Sequence, residues 1–378
     1  MTAISKLPSS AVHPPNKTLD GHLLLITGPK APTQAWLDRI HALYPGLRVL
    51  YRELHWGQKL AADALTATDW HDVTVLLTTG GTLPPDPAAV PKLQYVQLFS
   101  AGANLIIKQP LFTDTDVAFC TANGVHGPQI TEWIIATYLA FNHNLPSYLE
   151  YQREGKWNRL TDETDDVPGQ RVGILGYGSI GRQTARVATA LGMEVYAYTL
   201  HPRDTPASRR DDGYAPPGTG DPEGVFPTRW FSGGSKEDVR AFLGSGIDLL
   251  VVATPLTDST THLLGAEELR LLGRTDAEGR RRAGFVSNIA RGPVVDTDAL
   301  IAALESGELR GAALDVTDPE PLPEGHPLWH TKNVIITPHI SGGSARYTER
   351  VLAILEDNLG RLSTGRPLVN RVSRKEGY

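Results

Sequence analysis

The sequence predicts an α/β protein of two domains, each built on a mainly parallel sheet. Apolar strand-like runs alternate with stretches of helical periodicity through most of the chain, and a second such series restarts at Arg171 behind an acidic segment. At 378 residues the chain exceeds one compact core and fits two domains of about 100 to 200 residues each.

The first series opens with His22-Leu23-Leu24-Leu25-Ile26-Thr27, a buried strand, followed by Trp36, Leu37, Ile40 and Leu43 at helical spacing. Further strands are expected at Arg48 to Tyr51, Val73 to Thr78, Tyr95 to Phe99 and Val117 to Thr121, divided by polar, Pro-rich or Gly-rich segments. From Pro128 to about His143 apolar residues fall on nearly every face, which predicts a helix buried on several sides at a domain or subunit junction. The acidic run Thr161 to Asp166 precedes a fresh strand at Arg171 to Leu175, and another follows at Val195 to Tyr198. The stretch from about Leu200 to Ser235 is rich in Pro, Gly, Asp and Arg without periodicity and reads as a surface insertion. Arg274 to Arg282, before the strand at Phe285 to Asn288, reads as a solvated charged loop.

Composition narrows the classes. A formal charge of −6, with 40% hydrophobic and 21% charged residues, describes an ordinary globular chain and argues against bulk electrostatic binding of nucleic acid or anionic lipid. The single cysteine, Cys120, lies in an apolar run, so no internal disulfide is expected and a reducing, cytoplasmic compartment is. No run approaches the ~18 apolar residues of a membrane span. The first twenty residues have no apolar targeting core and read as a loose tail. No metal is expected.

Gly176-Tyr177-Gly178-Ser179-Ile180-Gly181 is weak as a bare Gly-x-Gly-x-x-Gly match, but here it follows an apolar strand, opens a helix and precedes a second strand. In that context Gly176 permits the tight turn, Gly178 lets a pyrophosphate approach the backbone, and Gly181 lets helix pack on strand. Amides at the helix N-terminus then hold the anion. The carboxylate that usually meets the adenine ribose at the end of the second strand is missing; Thr199, His201 and Arg203 stand there instead. A hydroxyl beside cations suits a phosphate, so NADP(H) is expected as the preferred cofactor, with NAD(H) the alternative.

Three segments of the last third, Asn288 to Gly292, Asp315 to Leu322 and Thr337 to Gly343, each follow an apolar strand whose end would open on the cofactor crevice. A 2-keto acid reduced by hydride needs a proton at its developing alkoxide, a part for His339. Glu320 would orient that imidazole and favour its protonated form. Arg291 offers a fixed bidentate cation for the substrate carboxylate.

Taken together these segments resemble the D-isomer-specific 2-hydroxyacid dehydrogenase family, glyoxylate and hydroxypyruvate reductases in particular, from about Leu93 to Leu368. The resemblance is carried by the glycine turn, Thr254-Pro255-Leu256-Thr257, Asn288 to Gly292, Val294-Val295-Asp296, Ala313-Leu314-Asp315-Val316, Glu320-Pro321-Leu322, Pro327-Leu328-Trp329 and Thr337-Pro338-His339. It implies two Rossmann-like domains, a nucleotide-binding domain (146–345) inserted in a flavodoxin-like substrate domain (1–145 and 346–378) completed by a helix at about Arg346 to Ser363. It also implies Arg291, Glu320 and His339 as the catalytic set, and Ser100, Ala101 and Gly102 as backbone donors to the substrate carboxylate. Cofactor contacts are implied at Thr254, Pro255, Ile289, Ala290, Asp315 and His339, and assembly as a homodimer. Asp315 has a competing role as a strand-end cap.

The chain departs from the family in Asn104, where an aspartate is common, in the 200–235 segment and in the missing ribose acid. A bulkier 2-keto acid is the alternative substrate. A non-enzymatic nucleotide sensor of the corepressor kind is the alternative function, disfavoured by the intact Arg291, Glu320 and His339. The formate branch carries glutamine where this chain has Glu320.

Overall fold

A computed structural model describes residues 15–55, 58, 66–160, 164, 166–275, 279–375 and 377. The expected tail lies largely outside these residues, as does part of the acidic run. The chain divides into two compact units, the described residues up to Val125 with those from Ala345, and His126–Ser344.

The first unit holds five parallel strands, β1 (Leu23–Gly28), β2 (Arg48–Glu53), β3 (Val75–Thr78), β4 (Tyr95–Leu98) and β5 (Ala118–Cys120), in the order β2-β1-β3-β4-β5. That is the flavodoxin-like order. Central strands are buried along their whole length, as a parallel sheet covered on both faces requires. The helix Tyr347–Thr364 belongs to this unit. It buries Val351, Leu352, Ile354, Leu355, Leu359 and Leu362 along one stripe. Its fully buried Asn358 donates to the Tyr95 hydroxyl (2.9 Å) and accepts from the Val369 amide (2.8 Å), so no polar atom of that side chain is stranded.

The second unit contains β6 (Arg171–Leu175), β7 (Glu194–Thr199), β8 (Pro227–Ser232), β9 (Leu249–Val252), β10 (Gly273–Thr275), β11 (Arg281–Asn288), β12 (Leu309–Leu314) and β13 (Val334–Ile336). Apart from β10, antiparallel on β11, the strands are parallel in the order β13-β12-β11-β9-β6-β7-β8. Counted from β6, this is the doubly wound 3-2-1-4-5-6 order with one strand more. Successive residues serve opposite layers. Val172, Ile174, Val195, Ala197, Leu249 and Val251 pack in one core, and Tyr196, Tyr198, Leu250, Val252, Val286 and Leu314 in the other.

Three expectations need correction. The helix Gly127–Asn142 falls in the second unit, so the boundary lies near residue 125 rather than 145: Ile130, Ile134 and Tyr138 pack on the β6–β7–β9 face, and Thr131 bonds Thr184 at 3.1 Å. The 200–235 segment is more than a surface insertion, because it supplies β8, which pairs with β7 from Val195 to Thr199. The charged 274–282 stretch contributes to a β-hairpin as well, and Arg281 donates to the Arg270 and Leu272 carbonyls at 2.6 and 2.9 Å.

Candidate active site

The crevice of a doubly wound sheet opens where strand order reverses, here between β6 and β9, and the glycine turn lies at the end of β6. Gly176 has φ of 103°, and a Cβ there would stand 2.8 Å from the Ala253 carbonyl and 2.9 Å from the Thr254 amide. Only glycine fits. Thr254 thus abuts the turn, with Pro255 exposed beside it. A Cβ on Gly181 would meet the Gly176 carbonyl and Ile174, both at 2.7 Å, so that glycine sets helix against strand. Gly178 differs: a Cβ there would meet nothing within 4 Å. It is the N-cap of the helix Ser179–Ala190, an end that no side chain caps. Open space over an uncapped helix start, with glycines on either side, fits a dinucleotide pyrophosphate.

The side chain of Tyr177 points away from that space. It is buried, donates to Asp221 Oδ2 at 2.7 Å and packs edge-on to Trp230, leaving its backbone as the part that can line the turn. Burial, and then the Asp221 carboxylate, push its phenol well above the ordinary tyrosine range. Ser179 and Ile180 form the first helical residues.

At the end of β7 the Thr199 hydroxyl donates to the His201 carbonyl at 2.7 Å, and His201 is exposed. The Arg203 guanidinium donates to the Ser208 carbonyl through Nη1.

Arg291, Glu320 and His339 follow the adjacent strands β11, β12 and β13. Asn288, 1% exposed, accepts from the Ala290 amide at 3.1 Å and donates to the Arg291 carbonyl at 3.2 Å, bracing the turn on which Arg291 stands. Ile289 and Ala290 are buried in the two cores. A Cβ on Gly292 would lie 1.9 Å from the Thr317 carbonyl, so this turn rests directly on the segment leading to Glu320. Thr297 donates to the Asp318 carbonyl at 3.0 Å and secures the same contact.

Glu320 Oε1 lies 2.7 Å from His339 Nδ1, with both side chains partly exposed. His339 has φ of 55°, an uncommon conformation for a non-glycine residue, and its amide donates to the Asp315 carbonyl at 2.8 Å. The Asp315 carboxylate holds the rest of the loop. Oδ1 accepts from Thr337 Oγ1 (2.6 Å) and the Ile340 amide (2.8 Å), and Oδ2 from the Ser341 amide (2.9 Å) and hydroxyl (2.5 Å). With four donors around it and 2% exposure, this carboxylate anchors the histidine loop and has little left for a cofactor. The strand-end role is the one the structure gives it. Sequence reasoning missed Thr337, Ser341 and the bracing part of Asn288; an Asn two residues before an amide it accepts from is a readable turn signal, whereas the other two are not.

In the first unit Ser100 Oγ donates to the Gly102 carbonyl at 2.8 Å and the Ser100 carbonyl accepts from the Ala122 amide at 2.8 Å, which shapes the loop through exposed Ala101. Tyr347 Oη donates to the Phe99 carbonyl at 2.5 Å.

A doubly wound sheet, a glycine cradle at its switch point and a histidine–carboxylate pair at neighbouring strand ends define the class: a nicotinamide-dependent oxidoreductase. Residues 135–216 and 233–341, just over half the chain, match the NAD-binding domain of the D-isomer specific 2-hydroxyacid dehydrogenases. The chain belongs to the D-isomer specific 2-hydroxyacid dehydrogenase family. It is 29% identical over 277 residues to a glyoxylate reductase of Thermofilum pendens, covering 72% of each chain. It is 30% identical over 277 residues to a D-3-phosphoglycerate dehydrogenase of Haemophilus influenzae, covering 70% of this chain and 57% of that one. Among solved structures it is similar to a D-isomer specific 2-hydroxyacid dehydrogenase of Xanthobacter autotrophicus Py2 in complex with NADPH and MES, with a TM-score of 0.71 and 28% identity over 94% of this chain and 99% of that one. The family acts on small 2-hydroxy and 2-keto acids with a nicotinamide dinucleotide. Among the described residues no helix is long and apolar enough to cross a membrane.

Proposed function

We propose that the protein is an NADPH-preferring reductase of a small 2-keto acid, glyoxylate or hydroxypyruvate, giving glycolate or the D isomer of glycerate. The observation that carries this reading is the 2.7 Å contact between His339 Nδ1 and Glu320. Glu320 takes one ring nitrogen, which fixes the imidazole plane and leaves Nε2 to meet the substrate's keto oxygen. Bound nicotinamide would supply the two electrons that reduce the keto carbon. As charge grows on the oxygen, His339 transfers the Nε2 proton to it, with Glu320 holding the ring in place. Arg291 pairs with the substrate carboxylate in bidentate fashion.

The dinucleotide is held at Gly176 to Gly181, with Thr254, Pro255, Ile289 and Ala290 lining its nicotinamide half. Thr199, His201 and Arg203 meet the adenine ribose and its 2′-phosphate. Support for NADPH comes from the missing ribose carboxylate and from the relative solved with NADPH. The protein works as a cytoplasmic homodimer. A panel of 2-keto acids run with NADPH and NADH in parallel tests the reading, and includes the keto acid corresponding to 3-phosphoglycerate as the bulkier competitor. Highest kcat/KM with glyoxylate or hydroxypyruvate and NADPH is expected. A preference for the phosphorylated acid, or for NADH, overturns the corresponding half.

A further inference from the structure

We propose that Arg182 and Asp221 form a buried clamp that presets the Arg203 turn and thereby tunes selectivity for a 2′-phosphorylated cofactor; the inference rests on the reading that Arg203 meets that phosphate. Arg182 lies in the glycine-turn helix and is 4% exposed. A guanidinium stays charged when buried, so its partners define its purpose. Nη1 donates to the Asp221 carbonyl at 2.5 Å and Nη2 to the Arg209 carbonyl at 2.8 Å, while Nε lies 3.3 Å from Asp211 Oδ2. Two of these partners are backbone of the segment that follows β7. The cation therefore holds chain in place as well as balancing charge.

Asp221 closes the clamp from the other side. It is 2% exposed, and it accepts from the Tyr177 hydroxyl at 2.7 Å and from the amides of Val225 and Phe226 at 3.0 and 3.2 Å. Tyr177 sits in the glycine turn itself, so both ends of the device are rooted where the pyrophosphate is read. One further step reaches Arg203. Arg209 Nε donates to the Arg203 carbonyl at 2.8 Å, Arg203 Nη1 donates to the Ser208 carbonyl, and Thr205 and Ser208 cap the turn reciprocally. Arg203 is thus tied at its backbone and its guanidinium to a turn whose last residue Arg182 holds.

A long arginine on an unrestrained segment must be ordered when a phosphate binds, whereas one already held gives up less freedom. A desolvated cation is also an expensive way to hold two loops if stability alone is served, since apolar packing would do as well. Asp221 lies between the two stretches that match the family's nucleotide domain, 135–216 and 233–341, so the clamp depends on this chain's own segment.

The test is calorimetric. Dissociation constants of NADP⁺ and NAD⁺ are measured for the wild-type protein, Arg182→Met, Arg203→Ala and the double variant, with Asp221→Asn as the near-isosteric second perturbation should Arg182→Met fail to fold. The wild-type protein binds NADP⁺ more tightly. In Arg182→Met that preference falls by about tenfold, a usual size for coupling through a packed network. In the double variant it falls no further than in Arg203→Ala alone, because the clamp acts through Arg203. Equal weakening of both cofactors, or a loss of preference fully additive with Arg203→Ala, overturns the clamp while leaving the phosphate reading intact. Equal affinity of the wild-type protein for both cofactors overturns the phosphate reading, and the clamp with it.

Discussion

Replacing Asp315 by asparagine separates the histidine loop from its anchor with almost no change of shape. Each carboxylate oxygen accepts one backbone amide and one hydroxyl: Ile340 and Thr337 on Oδ1, Ser341 twice on Oδ2. A hydroxyl can turn round and accept from the new NH2 group, but an amide cannot. Whichever way the asparagine sits, one backbone N–H then faces another donor. Ser341 is 6% exposed while Ile340 is 54% exposed, so the amide turns its NH2 toward Ile340, whose N–H is the easier one to return to water. That costs about 1–3 kcal/mol for the orphaned donor, and each remaining bond drops from the charged range of about 1.5–3 to the neutral range of about 0.5–1.5 kcal/mol. The sum is on the order of 4–7 kcal/mol at the loop, enough to release the left-handed conformation of His339. We expect kcat/KM for the keto acid to fall about a hundredfold, as for an ångström-scale misplacement of a reacting group, with the cofactor Kd changed by less than threefold. Steady-state kinetics and calorimetry decide it. An Asp315→Asn protein with kcat/KM within twofold of wild type would refute the anchoring role.

The glycines should respond differently to alanine. Gly178→Ala keeps the wild-type Tm, since its Cβ enters open space, but weakens dinucleotide binding more than tenfold; Gly181→Ala, whose Cβ meets the Gly176 carbonyl at 2.7 Å, lowers Tm by several degrees. Equal Tm in both variants sinks this distinction. Glu320→Gln should lower kcat by about 10²-fold with KM nearly unchanged, because the carboxylate acts on the imidazole and touches no substrate; a KM effect alone would speak against it. Cys120 is fully buried and burial raises its thiol well above the usual range, so the native protein should resist iodoacetamide until denaturant is added. Rapid labelling of the native protein would show that the environment is misdescribed.

Much of the fold was legible because parallel strands buried on both faces announce themselves as apolar runs, from His22 to Thr27 through Phe285 to Asn288. β8 was not. Its Pro-Thr-Arg-Trp-Phe-Ser sequence is half-exposed at the sheet edge and lacks both alternation and a continuous apolar run, so it hid within a polar segment. Asp221 was equally silent, since a carboxylate between glycine and proline reads as solvated, and two of the partners that hold the residue, Arg182 and Tyr177, lie 39 and 44 residues away. The glycine turn was readable in the tight turn at Gly176 and in the close helix–strand approach at Gly181. Tyr177 in the same turn was not, because a variable position says nothing about which way its ring points. The helix Gly127–Asn142 was recognised as buried, yet which sheet it covers is a tertiary fact. Chemistry and order singled out Arg291, Glu320 and His339, of which the structure pairs Glu320 with His339; that the buried Asp315 holds the histidine loop emerges only from hydrogen bonds.

The claim that His339 delivers the proton is tested most directly by His339→Ala, with turnover of the best 2-keto acid measured beside the Kd of the cofactor. The account predicts a kcat lower by about 10²- to 10⁴-fold with dinucleotide affinity retained. Turnover within a few-fold of wild type at full cofactor binding would contradict it.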